Sequence, residues 1–242
     1  MQYKTHTLSF PFYFFYCRLF FALVIAGTFL FSCSASFAQA TREYTQPDKD
    51  FKNAQEFFQL GKYAVAMQLF KKTIDNISYF QETNRQLVYQ DAQYYYALCA
   101  LELQQPDGEQ LTKNFIDKIN NSPRAQLASY HLAKYYYHQN RLREAIPYYE
   151  KAGIDNLSND EIADAKFELA YCYFNVKDFQ KAEPLFAAIK DIHGKYYIPA
   201  NYYYGFVAYY NKEYDKALTS FKRVADEPKY SIIVPYYIAE IY

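Results

Sequence analysis

Tryptophan is absent from the 242-residue sequence, and glycine occurs only six times. So little glycine argues against β-hairpins, whose tight turns need positive φ angles, and against phosphate-binding loops. It favours helices. The sequence is instead rich in rings, with 30 tyrosines and 21 phenylalanines within a hydrophobic content of 51% that is ordinary for a globular chain.

Net charge is also missing, because 26 basic and 26 acidic residues cancel. The chain therefore lacks the basic excess that a nucleic-acid-binding face requires. All the acidic residues lie after residue 40, whereas Lys4 and Arg18 lie before it. We expect partners other than nucleic acid.

The first forty residues have the pattern of a secretory signal. Lys4 and Arg18 precede an apolar run from Leu19 to Phe31, which is too short for a comfortable membrane span and is followed by small residues. Ala38 and Ala40 have the spacing of a cleavage site. We predict that residues 1–40 are a signal peptide and that the chain is exported, to the periplasm or the outer membrane.

Two alternatives for this segment remain open. Leu30–Cys33 resembles a bacterial lipobox, in which Cys33 would be acylated and would anchor the chain as a lipoprotein. An uncleaved anchor from Phe10 to Phe31 is the other, although Arg18 in its middle is costly in lipid.

An internal repeat organises the rest of the chain. The stretches LAKYYYHQNRLREAIPYY, LAYCYFNVKDFQKAEPLF and YGFVAYYNKEYDKALTSF begin at Leu132, Leu169 and Tyr204, 37 and 35 residues apart. Each predicts a helix, a polar turn and a second helix. Pro147 and Pro184 are expected in the first turns of second helices, where backbone N–H groups lack intrahelical partners. This period is typical of all-α solenoids, in which helical hairpins stack because none buries its apolar face alone.

These stretches resemble the tetratricopeptide repeat (TPR), whose signature is a small residue, an aromatic residue three later, then Ala, and an aromatic residue four beyond. The clearest matches are Ala133, Tyr136, Ala145 and Tyr149, and Ala170, Tyr173, Ala182 and Phe186. Ala54, Phe57, Ala66 and Phe70 give a good first unit. The less complete matches are Cys99 and Phe115, and Gly205, Ala217 and Phe221.

The resemblance implies a right-handed superhelical solenoid over residues 41–242. Its units are predicted at about 47–75, 92–123, 126–157, 163–192 and 198–228, with the start of a sixth at 232–242. Residues 76–91 are expected to be an insertion, and Pro123 to close the second unit. The last segment, SIIVPYYIAEIY, resembles the start of a first helix, so further repeats or domains are expected after residue 242.

The same resemblance implies a concave groove, lined by the first helix of each unit, that holds partners. Two interpretations of its rings stay open: packing between adjacent first helices, or an exposed surface for peptides or glycans. Only Lys134 matches the family's clamp for a C-terminal carboxylate. The predicted partner-binding residues are Phe51, Tyr96, Tyr130, Lys134, Tyr137, Phe167, Tyr171, Phe174, Tyr202, Phe206 and Tyr209.

No catalytic, cofactor-binding or metal-binding pattern emerges. His131 and His138 lie seven residues apart on one predicted helix, without a suitably spaced third ligand, and are expected to be ordinary helix histidines. Cys99 and Cys172 lie within apolar helical patterns of non-adjacent units, where we expect buried free thiols.

The sequence thus predicts a non-catalytic interaction or assembly scaffold that uses no cofactor and binds proteins or peptides of the bacterial cell envelope. Contact with the membrane is expected only through the signal segment or a lipid anchor. Two alternatives are the periplasmic sensor region of a signalling receptor and the non-catalytic N-terminal part of a longer envelope enzyme.

Overall fold

The computed structural model describes residues 48–80, 85–120 and 122–242. Within these ranges the regular secondary structure is helical, with no strand. The predicted signal segment and Cys33 lie outside the described residues. The helices are α1 (48–59), α2 (Tyr63–Phe80), α3 (Gln86–Glu102), α4 (Gly108–Lys118), α5 (Pro123–His138), α6 (Leu142–Lys151), α7 (Asn159–Asn175), α8 (Phe179–Ile189), α9 (Tyr197–Tyr210), α10 (Tyr214–Val224) and α11 (Ile233–Ile241).

The helices form a linear array of hairpins. From α2 to α11, each helix packs against the next one along the chain, and the odd-numbered helices α3, α5, α7 and α9 also pack against one another. The odd-numbered helices therefore form the inner row of a solenoid, and the even-numbered helices form the outer row. This all-α solenoid is the fold that the repeat predicted.

A residue in the left-handed conformation ends the first helix of every hairpin. It is Gly61 (φ 69°) in the first hairpin, and Gln104, Asn140, Lys177 and Lys212 (φ 51° to 64°) in the others. Such a residue turns the backbone so that the last helical carbonyls accept hydrogen bonds, as Arg141 N donates to Tyr136 O at 2.9 Å. These residues also mark the register of each unit.

Small residues lie where the two helices of a hairpin touch. The signature residues Ala145, Ala182 and Ala217 are completely buried. Gly205 is the tightest case: a Cβ atom there would lie 2.5 Å from Cε1 of Phe221. The family signature therefore has a direct steric cause in this chain.

Two expected boundaries differ from the structure. Residues 76–80 and 86–91 belong to helices, since α2 continues to Phe80 and α3 already begins at Gln86. Pro123 opens α5 instead of closing the second unit. It follows Ser122, whose side chain accepts a hydrogen bond from Ala125 N at 3.0 Å. Proline suits this first helical position because its missing N–H would have no partner there.

Pro147 and Pro184 lie deeper in their helices than expected. Each is the sixth residue of its helix, α6 or α8, which is already the second turn. The carbonyls they leave without a helical donor belong to Arg143 and Gln180, both exposed residues. Water can satisfy these carbonyls, so both prolines are tolerated on the outer row.

Candidate functional site

The inner row is held together by one recurring contact, which we call a joint: the packing of one odd-numbered helix on the next. In each joint, a side chain of the following helix enters a recess in the preceding unit. This plug residue lies two positions before the small residue of its helix. The plug residues are Tyr95, His131, Glu168, Tyr203 and Tyr237.

Three of the five joints have a tyrosine plug surrounded by rings. In the α1/α3 joint, the Tyr95 ring centre lies 6.4, 5.1 and 5.2 Å from those of Phe51, Phe58 and Phe70. In the α7/α9 joint, Tyr203 lies 6.2, 5.1 and 5.8 Å from Phe167, Phe174 and Phe186. In the α9/α11 joint, Tyr237 lies 4.8, 5.1 and 6.2 Å from Phe206, Tyr209 and Phe221. Such ring pairs stabilise a contact beyond simple area burial.

These joints account for most of the predicted groove residues, none of which is fully exposed. Tyr171 both packs between inner helices and reaches solvent. Its ring centre lies 5.8 Å from that of Tyr137 and 5.2 Å from that of Tyr203, and the residue is only half-buried. Four predicted groove residues are buried, namely Phe51, Tyr130, Phe167 and Phe206. The half-buried ones are Tyr96, Lys134, Tyr137, Tyr171, Phe174, Tyr202 and Tyr209.

Tyr96 does not share a surface with the others. It lines a recess with Lys71 of α2 and Asn114 of α4, on the outer side of the solenoid. Tyr94 occupies the inner position instead, with its ring centre 5.9 Å from that of Phe115. The same pairing recurs at 5.8 Å for Phe51 with Phe70 and at 5.9 Å for Phe167 with Phe186.

Tyr96 was wrongly predicted to line the groove because of the turn after α3. Its left-handed residue is Gln104, but α4 begins only at Gly108, whereas α6 begins two residues after Asn140. The turn is thus two residues longer, and aligning the unit on its second helix shifted α3 by two positions. The inner residues of α3 are Tyr94, Leu98 and Leu101.

Two neighbouring joints have ionisable plugs. Glu168 of α7 is 4% exposed, accepts a hydrogen bond from the hydroxyl of Tyr149, and has a pKa raised by burial. The ring centre of His131, on α5, lies 6.3 Å from that of Tyr94 and 5.3 Å from that of Tyr130. Burial lowers the pKa of His131 to about 4, although nearby Glu161 opposes this.

A cavity of about 500 Å³ opens beside His131 in the α3/α5 joint. Leu98 and Leu101 supply its apolar side, Lys134 supplies a cationic group, and His138 supplies an imidazole. Its remaining lining residues are Glu102, Gln104, Tyr135 and Gln139.

Ion pairs connect the inner helices at their polar ends. Arg124 of α5 makes a two-pronged contact with Asp91 of α3, at 2.6 and 2.9 Å. Asp164 of α7 accepts from Lys195 at 3.0 Å and from the Tyr196 hydroxyl at 2.6 Å, and lies 3.4 Å from Lys134. Burial alone would raise the pKa of Asp164, but these hydrogen bonds outweigh it and hold the pKa below its usual value. Such partly exposed pairs fix geometry more than they add stability.

The described residues include no group of three or more His, Cys, Asp or Glu side chains arranged to hold a metal ion. Cys99 and Cys172 are buried and unpaired, and burial raises the pKa of both thiols to about 12. Thiols this far from ionisation are poor nucleophiles. No helix of the described ranges has both the length and the apolar character to cross a membrane.

Comparison with known proteins agrees with this architecture. A family model described as tetratricopeptide repeat matches residues 109–161, from α4 to the start of α7. No curated protein matches the chain.

Among solved structures, MamA from AMB-1 aligns with a TM-score of 0.56 and 16% identity over 78% of this chain and 93% of MamA. YrrB, described as a TPR protein with an unusual peptide-binding site, aligns with a TM-score of 0.57 and 15% identity over 82% of this chain and 96% of YrrB. TPR-like repeats of a Podosopora anserina kinesin light chain align with a TM-score of 0.52 and 15% identity over 74% of this chain and 93% of theirs.

At this level of identity the structural likeness shows the fold. Together with the matched repeat at residues 109–161, it shows that the chain has the fold of tetratricopeptide repeat proteins. Proteins of this class bind other proteins or peptides and are generally not catalytic, so the fold indicates a protein-interaction scaffold.

Proposed function

We propose that this chain is a non-catalytic scaffold that holds a protein or peptide partner along its inner row, and that it does so in the bacterial periplasm or at the outer membrane. The observation that carries the first part is the inner row itself. It has half-buried rings at Tyr137, Tyr171 and Tyr202, and it also has the ion pair of Lys134 with Asp164. Ring edges with polar tips suit a peptide, because they offer contact area and hydrogen bonds with little loss of side-chain freedom.

The charges favour an extended peptide over capture of a bare C-terminal carboxylate. Lys134 is the one groove residue that matches the family's carboxylate clamp, and it lies 3.4 Å from Asp164. An acid beside the lysine weakens its attraction for a second carboxylate. Contacts to side chains along the peptide are therefore the better-supported source of affinity.

The location rests on the sequence of the first forty residues. Cationic Lys4 and Arg18, the apolar run and the small residues at its exit form an export pattern. N-terminal sequencing of the mature protein should begin at Gln39 or Thr41. Palmitate labelling of Cys33 would select the lipoprotein alternative, and a mature protein that retains Met1 would contradict both.

Site-specific photo-crosslinking in intact cells tests the inner row as the binding surface. His138 and Asn175, exposed at the ends of α5 and α7, are replaced one at a time by a photoreactive amino acid. Lys151, exposed on outer helix α6, is the matched control position. We expect envelope proteins or peptides to be captured from the first two positions only. Equal capture from all three would contradict binding along the inner row.

A further inference from the structure

The α3/α5 joint lacks a ring pair that three other joints share. Phe58 with Tyr95, Phe174 with Tyr203 and Tyr209 with Tyr237 each have ring centres 5.1 Å apart. In the α3/α5 joint, the equivalent residues are Leu101 and His131. Both are smaller than the rings they stand in for, and both line the cavity of about 500 Å³.

The α5/α7 joint, which also lacks a tyrosine plug, is completed differently. Its equivalent residues are Tyr137 and Glu168, and the buried carboxylate of Glu168 has the Tyr149 hydroxyl as its hydrogen-bond donor. A ring and a satisfied polar contact therefore occupy the same space. Leu101 and His131 bring only an imidazole to this space, which is smaller than the rings at the other joints, so the α3/α5 joint is incomplete and leaves the cavity open.

The cavity has the size and chemistry for an aromatic side chain. A cavity of about 150 Å³ is large enough to hold a benzene ring, and the α3/α5 recess, which is open to solvent and has both apolar and polar walls, is larger. A ring entering it would contact Leu98, Leu101 and the imidazole of His131. A phenol hydroxyl would find polar groups of Glu102, Lys134 or His138 at the rim.

We propose that the α3/α5 joint is a subsite for an aromatic side chain, tyrosine above all, supplied by the bound peptide. The chain shows what such a recess takes, because three of its joints hold a tyrosine from the neighbouring unit. The incoming ring would complete the missing pair. This inference rests on the proposed function, since it assumes a peptide on the inner row and names the side chain that it presents.

The first test uses para-cresol, the tyrosine side chain as a free molecule, titrated into the mature chain and followed by methyl NMR. We expect the Leu98 and Leu101 methyl signals to shift. Cyclohexanol, the non-aromatic control, should bind at least tenfold more weakly than para-cresol. The double change Leu101→Phe with His131→Tyr should weaken the binding of para-cresol at least tenfold, because the larger rings would fill the recess. Tyr95→Phe, in a joint that is already filled, should change nothing. Shifts elsewhere, or equal binding to the filled variant, would overturn the subsite.

If the double variant misfolds, which circular dichroism would reveal, the single change His131→Phe takes its place and is expected to weaken para-cresol in the same direction. Light scattering on the wild-type chain identifies the occupant. A dimer that the filled variant loses would mean that a second copy supplies the ring, and would overturn the assignment to a partner peptide.

Peptide display separates this inference from the proposed function. A random library selected on the wild-type chain should yield peptides with a required aromatic position, lost on the filled variant. Inner-row peptides with no aromatic requirement would overturn the subsite and leave the scaffold function standing. If no peptide is enriched, the scaffold function fails, while the para-cresol titration still decides whether the recess takes a ring.

Discussion

The contact between Tyr149 and Glu168 predicts a measurable loss of stability on Tyr149→Phe. Tyr149 is completely buried, and its hydroxyl donates to a carboxylate that is only 4% exposed. A hydrogen bond to a charged group contributes about 1.5–3 kcal/mol, and an unsatisfied buried group adds to the loss. We expect the free energy of unfolding at pH 7.5, measured by urea denaturation of the mature chain, to fall by about 2 kcal/mol or more.

The loss should depend on pH. Burial raises the pKa of Glu168, and the Tyr149 hydroxyl opposes this by stabilising the carboxylate. A group whose pKa is raised by folding favours the folded state below its ordinary pKa, and this contribution is lost as the pH rises through the folded value. Removing the hydroxyl raises the folded pKa further. Tyr149→Phe should therefore cost more at pH 7.5 than at pH 4.5.

Tyr130→Phe is the matched control, because the buried Tyr130 hydroxyl has no hydrogen-bond partner among the described residues. We expect a change within about 0.5 kcal/mol, or a gain. In a Glu168→Gln background, Tyr149→Phe should cost only about 1 kcal/mol, the value of a neutral hydrogen bond. An equal loss in both backgrounds would refute the role assigned to the carboxylate.

Three further predictions concern single residues. Gly205→Ala should destabilise the fold by about 1–3 kcal/mol through its clash with Phe221, and a gain in urea stability would contradict the close contact. Lys177→Gly should raise the free energy of unfolding by about 0.5–1 kcal/mol, because the left-handed conformation costs a non-glycine residue about 1–2 kcal/mol and the backbone entropy of glycine offsets part of this gain. Gly61→Ala should lower the free energy of unfolding, although its Cβ would meet nothing within 4 Å. Burial lowers the pKa of His131 from 6.5 to about 4, so the free energy of unfolding should fall as the pH drops from 6.5 to 4, because the unfolded chain binds the proton more readily. His131→Phe should remove this contribution to the pH dependence, as measured by urea denaturation.

The repeat and its phase could be predicted wherever a steric requirement leaves a mark in the sequence. Ala133, Ala170 and Gly205 are buried and set the register of three units correctly. The second unit failed because its turn is two residues longer, so aligning the unit on its second helix misplaced α3. Nothing in the local sequence marks the two additional turn residues.

Whether a ring is open or covered could not be predicted from one helix. A ring such as Phe174 is covered by Tyr203 of the next odd-numbered helix, so helical periodicity within α7 is silent about it. The signal lies between units instead. Tyr95, His131, Glu168, Tyr203 and Tyr237 follow one another at intervals of 34 to 37 residues. When the units are aligned, these residues mark the five joints and show that two of them, at His131 and Glu168, lack a tyrosine plug.

The two exceptions are neighbours, which has a consequence for the array as a whole. In a linear solenoid, stability is close to a sum of unit terms and nearest-neighbour terms, so a weak joint is a local property. The ring pairs at Tyr95 and Tyr203 lie on either side of His131 and Glu168 along the chain. The middle of the inner row therefore has less ring packing than the joints at Tyr95, Tyr203 and Tyr237. A partner that supplies a ring there adds a ring contact at a joint whose own plug is a histidine, so its binding would stabilise the folded solenoid.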